Sequence, residues 1–300
     1  NSDMQPDFVW IKNRSAADDH SLFDSARGVT KELELPTAAD QTTQSEGLTA
    51  FGSDGFTVGN RDQVNTSSEN FVSWNWKESA TAGFDIVTYT GTGVNRTVSH
   101  SLGAVPDVMI MKETGAAGDT ADWWVYHSSN TSAPATDFLR FNTNAATADS
   151  DEMWNDTAPT SSVFTVGTEI GINGENDTYV AYLFRAIDGY SNFHYYKGNS
   201  DADGPFLYTG FKPAFFISKA INAVTDWIIW DNKRGTYNPN SARLTTQSAA
   251  EGSANLDFLS NGVKIRNDDS SRNATGVAYL VMVFAENPFG GEDVAPATAV

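Results

Sequence analysis

A run of oxygen-bearing side chains lies at residues 199–204, where Asn199, Asp201 and Asp203 alternate and Gly204 follows. Alternating Asn and Asp oxygens beside a turn-forming glycine are typical of calcium-binding loops. The acid that would close such a loop is missing, because the twelfth position is Gly210. Two interpretations stay open, a calcium site and a solvated acidic loop, and the missing acid favours the second. We expect no other cofactor.

Residues for covalent or acid–base catalysis form no recognisable motif. The four histidines stand at positions 20, 100, 127 and 194, outside any Gly-x-Ser-x-Gly string, which the chain lacks. Nucleophilic hydrolysis needs a serine, a base and an orienting acid together. Glycoside hydrolysis needs two facing carboxylates, and nothing among the 38 acidic residues singles out a pair. We therefore predict a protein that is not an enzyme.

Aromatic side chains offer a different chemistry, because exposed Trp and Tyr rings stack on the apolar faces of sugars. Most of the eight tryptophans fall in strand-like segments, which predicts a place in the core. Trp123 and Trp124 are adjacent, so their rings point to opposite faces of a strand and one is expected outward. With Trp154, Tyr195 and Tyr196 they form the predicted contact set for a carbohydrate or another subunit.

Charge and composition exclude several function classes. The formal net charge is −19, which disfavours nucleic acid and anionic membranes as partners. The absence of cysteine excludes disulfides and thiolate metal sites, and it suits a protein that works outside the reducing cell. The longest apolar stretch, residues 277–285, is far shorter than the roughly 20 residues that a membrane-spanning helix needs, so we expect no membrane insertion.

Three segments of the chain resemble one another. They begin with PDFVWIK at Pro6, PDVMIMK at Pro106 and PAFFISK at Pro213, and each closes on an aromatic strand. Short apolar segments separated by turn residues predict an all-β chain. We expect three tandem β-sandwich repeats, jelly-roll or concanavalin-like, of about 100 residues each. Their expected bounds are 1–80, 81–190 and 191–290, followed by a linker or arm at 291–300; a short helix is expected at 37–45.

The first repeat lacks a leading pair of strands that the other two carry. These pairs are predicted at 84–90 with 96–100, and at 193–196 with 205–209. A sandwich without one hairpin exposes strand edges that can pair with another segment. We therefore expect the first repeat to be completed either by residues upstream of Asn1 or by a neighbouring subunit.

Several strings carry a resemblance to a known family. They are DFVWIKNR at 7–14, LFDSARG at 22–28, GLTAF at 47–51, DGFTVG at 54–59, VSWNWK at 72–77, YTGFKP at 208–213 and FAENPFG at 284–290. Together they resemble a repeated domain of virion proteins from tailed bacteriophages, many of them marine. The resemblance implies a fibre-like or surface structural protein and assigns no catalytic residue.

The leading expectation is a non-enzymatic virion structural protein, such as a fibre or capsid decoration, exposed at the virion surface. Its expected partners are other virion subunits, including copies of itself in an oligomer. The alternative is a carbohydrate-binding adhesion module that recognises a cell-surface glycan. A polysaccharide depolymerase is the third expectation.

Overall fold

Short runs rich in Val, Ile and aromatic residues form strands in a computed structural model. The main strands are continuous apolar runs, because both of their faces are buried. The structure describes residues 4–115, 120–247 and 249–285. The fold is predominantly β, as the sequence predicts, and its helices are single turns of four residues. No helix in the described ranges is long and apolar enough to span a membrane.

The strands group into three units along the chain. Unit 1, residues 8–76, contains β1 Phe8–Asn13, β2 His20–Asp24, β3 Lys31–Leu35, β4 Thr42–Thr43, β5 Leu48–Gly52, β6 Gly55–Val58, α1 Asp62–Asn65 and β7 Phe71–Trp76. Unit 2, residues 84–184, contains β8 Phe84–Thr90, β9 Arg96–Ser99, β10 Val108–Gly115, β11 Trp124–His127, β12 Asp137–Arg140, β13 Ala148–Asp149, α2 Asp151–Trp154, β14 Val163–Val166, α3 Ile170–Asn173 and β15 Thr178–Phe184. Unit 3, residues 191–285, contains β16 Ser191–Asn192, β17 Tyr195–Lys197, β18 Phe206–Tyr208, β19 Pro213–Ala220, β20 Ile228–Asp231, β21 Asn240–Thr245, β22 Gly252–Leu259, β23 Gly262–Ile265, α4 Ser270–Asn273 and β24 Ala278–Ala285.

Each unit is built on a main sheet with the same antiparallel order. β1 lies between β2 and β7, β10 between β11 and β15, and β19 between β20 and β24. The register also repeats, since Phe8 faces Trp76, Val108 faces Phe184 and Phe215 faces Phe284. The segments that match in sequence therefore occupy matching places, and the expected repeat bounds fall between β7 and β8 and between β15 and β16.

One face of every main sheet contributes to a single hydrophobic cluster, which we call the central core. Trp76, Phe184 and Phe284 meet there, with ring centroids 5.5 to 6.2 Å apart. Each such ring contact contributes about 1 kcal/mol beyond its buried area. The opposite face of each main sheet packs on a smaller cluster of its own unit. The three units thus surround one shared core in addition to having separate outer cores.

Hydrogen bonds join the units in a ring. Tyr182 Oη of unit 2 donates to Asp24 Oδ2 of unit 1 at 2.7 Å. Trp74 Nε1 of unit 1 donates to Asp231 Oδ2 of unit 3 at 3.1 Å. His127 Nε2 of unit 2 lies 3.2 Å from Val281 O of unit 3. Asp24, His127 and Asp231 occupy matching positions opposite the start of the central strand, so the repeated position closes all three junctions.

Two expectations need a comment. The predicted helix at 37–45 is wrong: Thr42 and Thr43 instead form β4, which pairs with Glu32 and Lys31 at the edge of β3. The predicted arm at 291–300 lies outside the described residues.

Candidate functional site

The expected calcium loop uses its side-chain oxygens to hold its own backbone. Asn199 Oδ1 accepts a hydrogen bond from the Asp201 N–H at 3.0 Å, and Asp201 Oδ1 accepts one from the Asp203 N–H at 2.8 Å. Asp203 pairs with Lys264 at 3.1 Å and Arg266 at 2.8 Å, and Lys264 first and then Arg266 lower the pKa of its carboxyl. No group of three or more His, Cys, Asp or Glu able to hold a metal occurs in the described ranges. The side-chain oxygens of this loop are thus engaged by its own backbone and by Lys264 and Arg266.

Four of the five aromatic residues in the predicted contact set are buried: Trp123, Trp124, Trp154 and Tyr196. The expectation that Trp123 or Trp124 points outward is wrong, because both faces of the unit 2 sheet are covered. Trp123 belongs to the central core, while Trp124 packs in the outer cluster with the Arg140 guanidinium 4.9 Å from its ring. Only Tyr195 is exposed, at 40%.

Sequence reasoning missed two exposed aromatic residues, Phe206 and Tyr208 of β18, which are 44% and 60% exposed. They lie on one face of the strand, since residues two apart share a face, while Leu207 between them is buried. In unit 2 the matching strand is β9. Its residue Val98 pairs with Phe164 of β14, as Leu207 pairs with Val263 of β23. The alternating Phe-Leu-Tyr string was the available signal.

The same two positions hold small hydroxyl residues in unit 2, namely Thr97 and Ser99. Both are exposed, and unit 2 forms the same strand pair with them. The strand pair itself therefore forms without aromatic rings at this place. The Phe206 ring lies over Gly262, where unit 2 has Val163, so it covers a strand position that lacks a side chain. The rings of Phe206 and Tyr208 nevertheless form an exposed aromatic pair.

The buried histidines bond to the main chain or to a tryptophan instead of forming a catalytic triad. His20 Nδ1 accepts a hydrogen bond from Trp10 Nε1 at 2.8 Å, and Nε2 lies 3.3 Å from Gln247 O. Burial, with Lys12 adding to it, lowers the pKa of His20 to about 3. Burial lowers the pKa of His127 to about 4. Both imidazoles are neutral near pH 7 and support the packing between units.

A buried lysine occurs at the same place in every unit: Lys12, Lys112 and Lys219. Each Nζ donates to the carbonyl of the next residue, at 2.7, 2.9 and 3.2 Å respectively. Burial lowers the pKa of each ammonium to about 8. Because the contact is repeated with the strand itself, it is part of the folding pattern and not a nucleophile special to one site.

The main difference between the units is an open strand edge in unit 1. β15 is flanked by β10 and β8, and β24 by β19 and by β16 with β17. β7 pairs with β1 alone among the described residues. The strand that precedes the short helix of unit 1 also lacks a neighbour. β14 pairs with β9 and β23 pairs with β18, whereas β6 pairs only with β5 among the described residues.

The open edge presents backbone groups and apolar side chains together. The Arg14 N–H donates to Asn70 O at 2.8 Å, in the register of the β1–β7 pair, so even-numbered residues of β7 face β1. Alternation then leaves the N–H and C=O groups of Phe71, Ser73 and Asn75 at the free edge. Phe71 is half-buried, whereas its counterparts Tyr179 and Tyr279 are buried.

The apolar residues of β6 are also more exposed than those of β14 and β23. Phe56 and Val58 are half-buried. Their counterparts in the closed units, Phe164 with Val166 and Val263 with Ile265, are buried. A half-buried apolar strand beside free backbone groups is a surface that can accept another strand.

Comparison with known proteins gives a family and nothing more specific. No curated protein and no solved structure matches the chain. A family model matches residues 1–288, nearly the whole sequence. The chain therefore belongs to the family described as Domain of unknown function (DUF7483).

Proposed function

We propose that this chain is a non-enzymatic structural protein of a bacteriophage particle, exposed at the virion surface as a fibre or decoration component. The observation that carries the proposal is the open edge of β7 and β6 in a body whose other two units close the same edge with their own strands. Such an edge suits a protein that is completed by its neighbours in an assembly.

The finer architecture that fits this role is three β-sandwich repeats with a common inner core. Each unit covers the outer face of its main sheet with a smaller layer, and the inner faces pack together. This arrangement fixes the three units relative to one another, because any rotation would break the ring of bonds through Asp24, His127 and Asp231. A rigid body of this kind suits a particle surface.

The role of the buried polar groups also supports a structural protein. The three lysines donate to backbone carbonyls, and the two buried histidines bond to a carbonyl or an indole. In these contacts the lysine and histidine side chains bond to the protein itself and hold its fold.

Cryo-electron microscopy of the native particle tests this proposal. We expect the chain in an ordered array or fibre, in contact with other virion subunits. Absence of the chain from purified particles, or its recovery only as a free monomer, would overturn the proposal.

A second function, glycan binding, is favoured by the exposed pair Phe206 and Tyr208. Two rings on one strand face can stack on a sugar, and the neighbouring Lys264 and Asp203 can hydrogen-bond hydroxyls. A glycan array should show binding by the parent chain and none by the double variant Phe206→Thr and Tyr208→Ser. This variant carries the residues of unit 2, and circular dichroism should show that it folds, because Phe206→Thr also removes the ring that lies over Gly262. Equal glycan signals from the two proteins, or none from the parent, would exclude this site.

A further inference from the structure

One position of the repeated fold carries a different kind of side chain in each unit. Glu32, Phe138 and Arg243 each stand one residue before a leucine of the central core, on β3, β12 and β21 respectively. Neighbouring residues of a strand point to opposite faces, so all three side chains point away from the central core and toward the outer layer of their own unit. Phe138 accordingly belongs to the outer cluster of unit 2.

Unit 1 uses this position for an ion pair. Arg61 immediately precedes the short helix α1, and its Nε lies 2.9 Å from Glu32 Oε2. Glu169 precedes α3 and Asp269 precedes α4 at the same place. The two positions that hold Glu32 and Arg61 in unit 1 therefore hold Arg243 and Asp269 in unit 3, with the charges exchanged.

The sheet register of unit 3 puts Arg243 and Asp269 in one row. Arg243 pairs with Gly252 across β21 and β22. Leu256 pairs with Ile265 across β22 and β23, and the same register counted four residues further brings Asp269 opposite Gly252. A Cβ atom at Gly252 would lie 3.1 Å from Arg243 Nη2. The Arg243 guanidinium therefore extends over this glycine, in the row that ends at Asp269.

Unit 3 adds a second guanidinium where the other units have an aliphatic side chain. The third residue of the short helix is Val64 in unit 1, Ile172 in unit 2 and Arg272 in unit 3. Val64 and Ile172 are buried in the outer clusters of their units. The Arg272 side chain is only 6% exposed, and its Nη2 lies 2.7 Å from Asp269 Oδ2. A buried apolar position is thus occupied by a cation in unit 3.

The two guanidiniums have N–H donors that their surroundings leave unused. Arg272 donates through Nη2 to Asp269, and through Nε to Asn267 Oδ1 and Nη1 to Ser271 Oγ, both at 3.1 Å. These bonds use three of its five N–H groups. Arg243 Nε is buried and has no hydrogen-bond partner among the described residues. A buried donor without an acceptor is unfavourable, so this place lacks an acceptor group.

The charges around Arg272 also do not balance. Burial lowers the pKa of the Arg272 guanidinium, the Asp269 carboxylate opposes this shift, and the charge of Arg243 adds to it. Tyr196 and Tyr279 also act on this pKa, and both are neutral near pH 7 because burial raises the pKa of each hydroxyl. Two cations and one carboxylate leave one positive charge at this place, in a chain whose net charge is −19.

We infer that Arg243 and Arg272 of unit 3 bind an oxyanion group of single charge, a carboxylate or a sulfate ester. A guanidinium binds such a group through two parallel N–H bonds, and one negative charge balances the site. Arg243 is half-buried and the Asp269 side chain is 46% exposed, so the group can reach the site from solvent. This inference goes beyond the proposed function, because it applies to the chain inside or outside a particle.

Thermal unfolding of the 300-residue chain at fixed ionic strength tests the inference, with sodium chloride replaced stepwise by sodium methyl sulfate or by the sodium salt of methyl glucuronide. A ligand that binds only the folded chain raises Tm as its concentration rises. We expect a saturable rise in Tm of the parent chain with at least one of these anions. A rise with the glucuronide alone would assign the site to acidic sugars, and a rise with methyl sulfate alone would assign it to sulfate esters.

Arg243→Phe is the variant that tests the site, because it introduces the residue that unit 2 carries at this position. Arg243→Gln is the second variant, which keeps a polar side chain there if the first does not fold. We expect either variant to need at least about tenfold more anion than the parent for the same rise in Tm. Arg266→Gln is the matched control. It removes one positive charge from the same unit, but its guanidinium is already paired with Asp257 at 2.6 Å and Asp203 at 2.8 Å.

Four results would overturn the inference. The first is a parent chain with the same Tm in chloride and in both organic anions. The second is an equal rise in the parent and in the Arg243 variants. The third is a loss of response in Arg266→Gln as large as that in Arg243→Phe, which would show an effect of overall charge. The fourth is an equal rise with the neutral sugar methyl glucoside, which would show that the anionic group is not what binds.

Discussion

Strands β7 and β15 are the same element in two different surroundings. Both pair with the central strand of their unit in one register, and both follow a four-residue helix that ends in asparagine. β8 covers the second edge of β15, and residues 179–184 are all buried. No described strand covers the second edge of β7, and most residues of β7 are half-buried. The burial of a repeated strand is therefore set by its neighbour as much as by its own sequence.

Replacing the helix-ending asparagine should show the largest difference between the units. Asn173→Ala removes the three hydrogen bonds of a fully buried side chain. It leaves the Thr92 N–H and the Gly167 carbonyl unpaired, while Val94 O keeps the bond from Thr92 Oγ1. We expect a loss of about 4 kcal/mol in the free energy of unfolding, since each buried group left unpaired costs about 1 to 3 kcal/mol. Asn65→Ala removes one exposed bond and should cost about 0.5 kcal/mol. Urea denaturation of the two variants measures the difference.

Equal losses in the two variants would show that Asn65 is already engaged as Asn173 is. That result would remove the contrast between the open and closed units. Asn273→Ala is the internal check, because its side chain makes the same three contacts as Asn173.

Acid should destabilise the chain through units 1 and 2 more than through unit 3. His20 stands where units 2 and 3 carry Trp123 and Trp227, and His127 stands where units 1 and 3 carry Asp24 and Asp231. Burial holds the pKa of His20 at about 3 and that of His127 at about 4, below the value of about 6.5 for an unfolded histidine.

At each of these two histidines, the unfolded chain therefore binds more protons than the folded chain between about pH 6.5 and pH 4. The stability present above pH 6.5 is lost as the pH falls through this window, by about 1.4 kcal/mol per pH unit for each histidine. Between pH 7 and pH 5 the two histidines together should cost about 4 kcal/mol. His20→Gln should recover about half of that loss, and His127→Gln the other half. A variant with the acid sensitivity of the parent would show that its histidine is solvated in the folded chain.

The sequence predicts the strands, but it does not predict what packs on each of their faces. The matching strings at Pro6, Pro106 and Pro213 predict the three main sheets, and the missing lead-in predicts an incomplete first repeat. Alternation shows that Trp123 and Trp124 point to opposite faces, but it does not say how many faces are covered. Trp124 is buried in the outer cluster of unit 2, and Trp123 is buried because residues of the other two units pack on the opposite face of the sheet. Those contacts join residues that are distant in sequence.

The candidate site was only partly visible for the same reason. The sequence pattern points to the side-chain oxygen of Asn199, whereas in the structure the backbone N–H of Asn199 donates to Asn273 Oδ1. The three asparagines do end short segments at matching places, but their role depends on strands more than 70 residues away in units 2 and 3. A single sequence gives no sign of such a contact.

The smallest expected effect concerns the ring at the start of β7. In units 2 and 3 the hydroxyl of Tyr179 or Tyr279 donates to the first carbonyl of the short helix, Ile170 O or Ser270 O, and accepts from the N–H that follows the helix. Phe71 stands at the same distance along the chain from Asp62, the first residue of α1. In unit 1, Asp62 O already accepts from the Thr66 N–H at 3.2 Å and from Thr66 Oγ1 at 2.6 Å. Phe71→Tyr should therefore stabilise the chain by no more than about 0.5 kcal/mol, while Tyr179→Phe should lose both bonds and cost about 2 kcal/mol, because its site is fully buried. Thermal unfolding of both variants measures this pair of changes. A Phe71→Tyr chain more stable than the parent by over about 1 kcal/mol would show that the new hydroxyl displaces the Thr66 hydroxyl at Asp62 O, and that α1 and β7 already hold the geometry of the closed units.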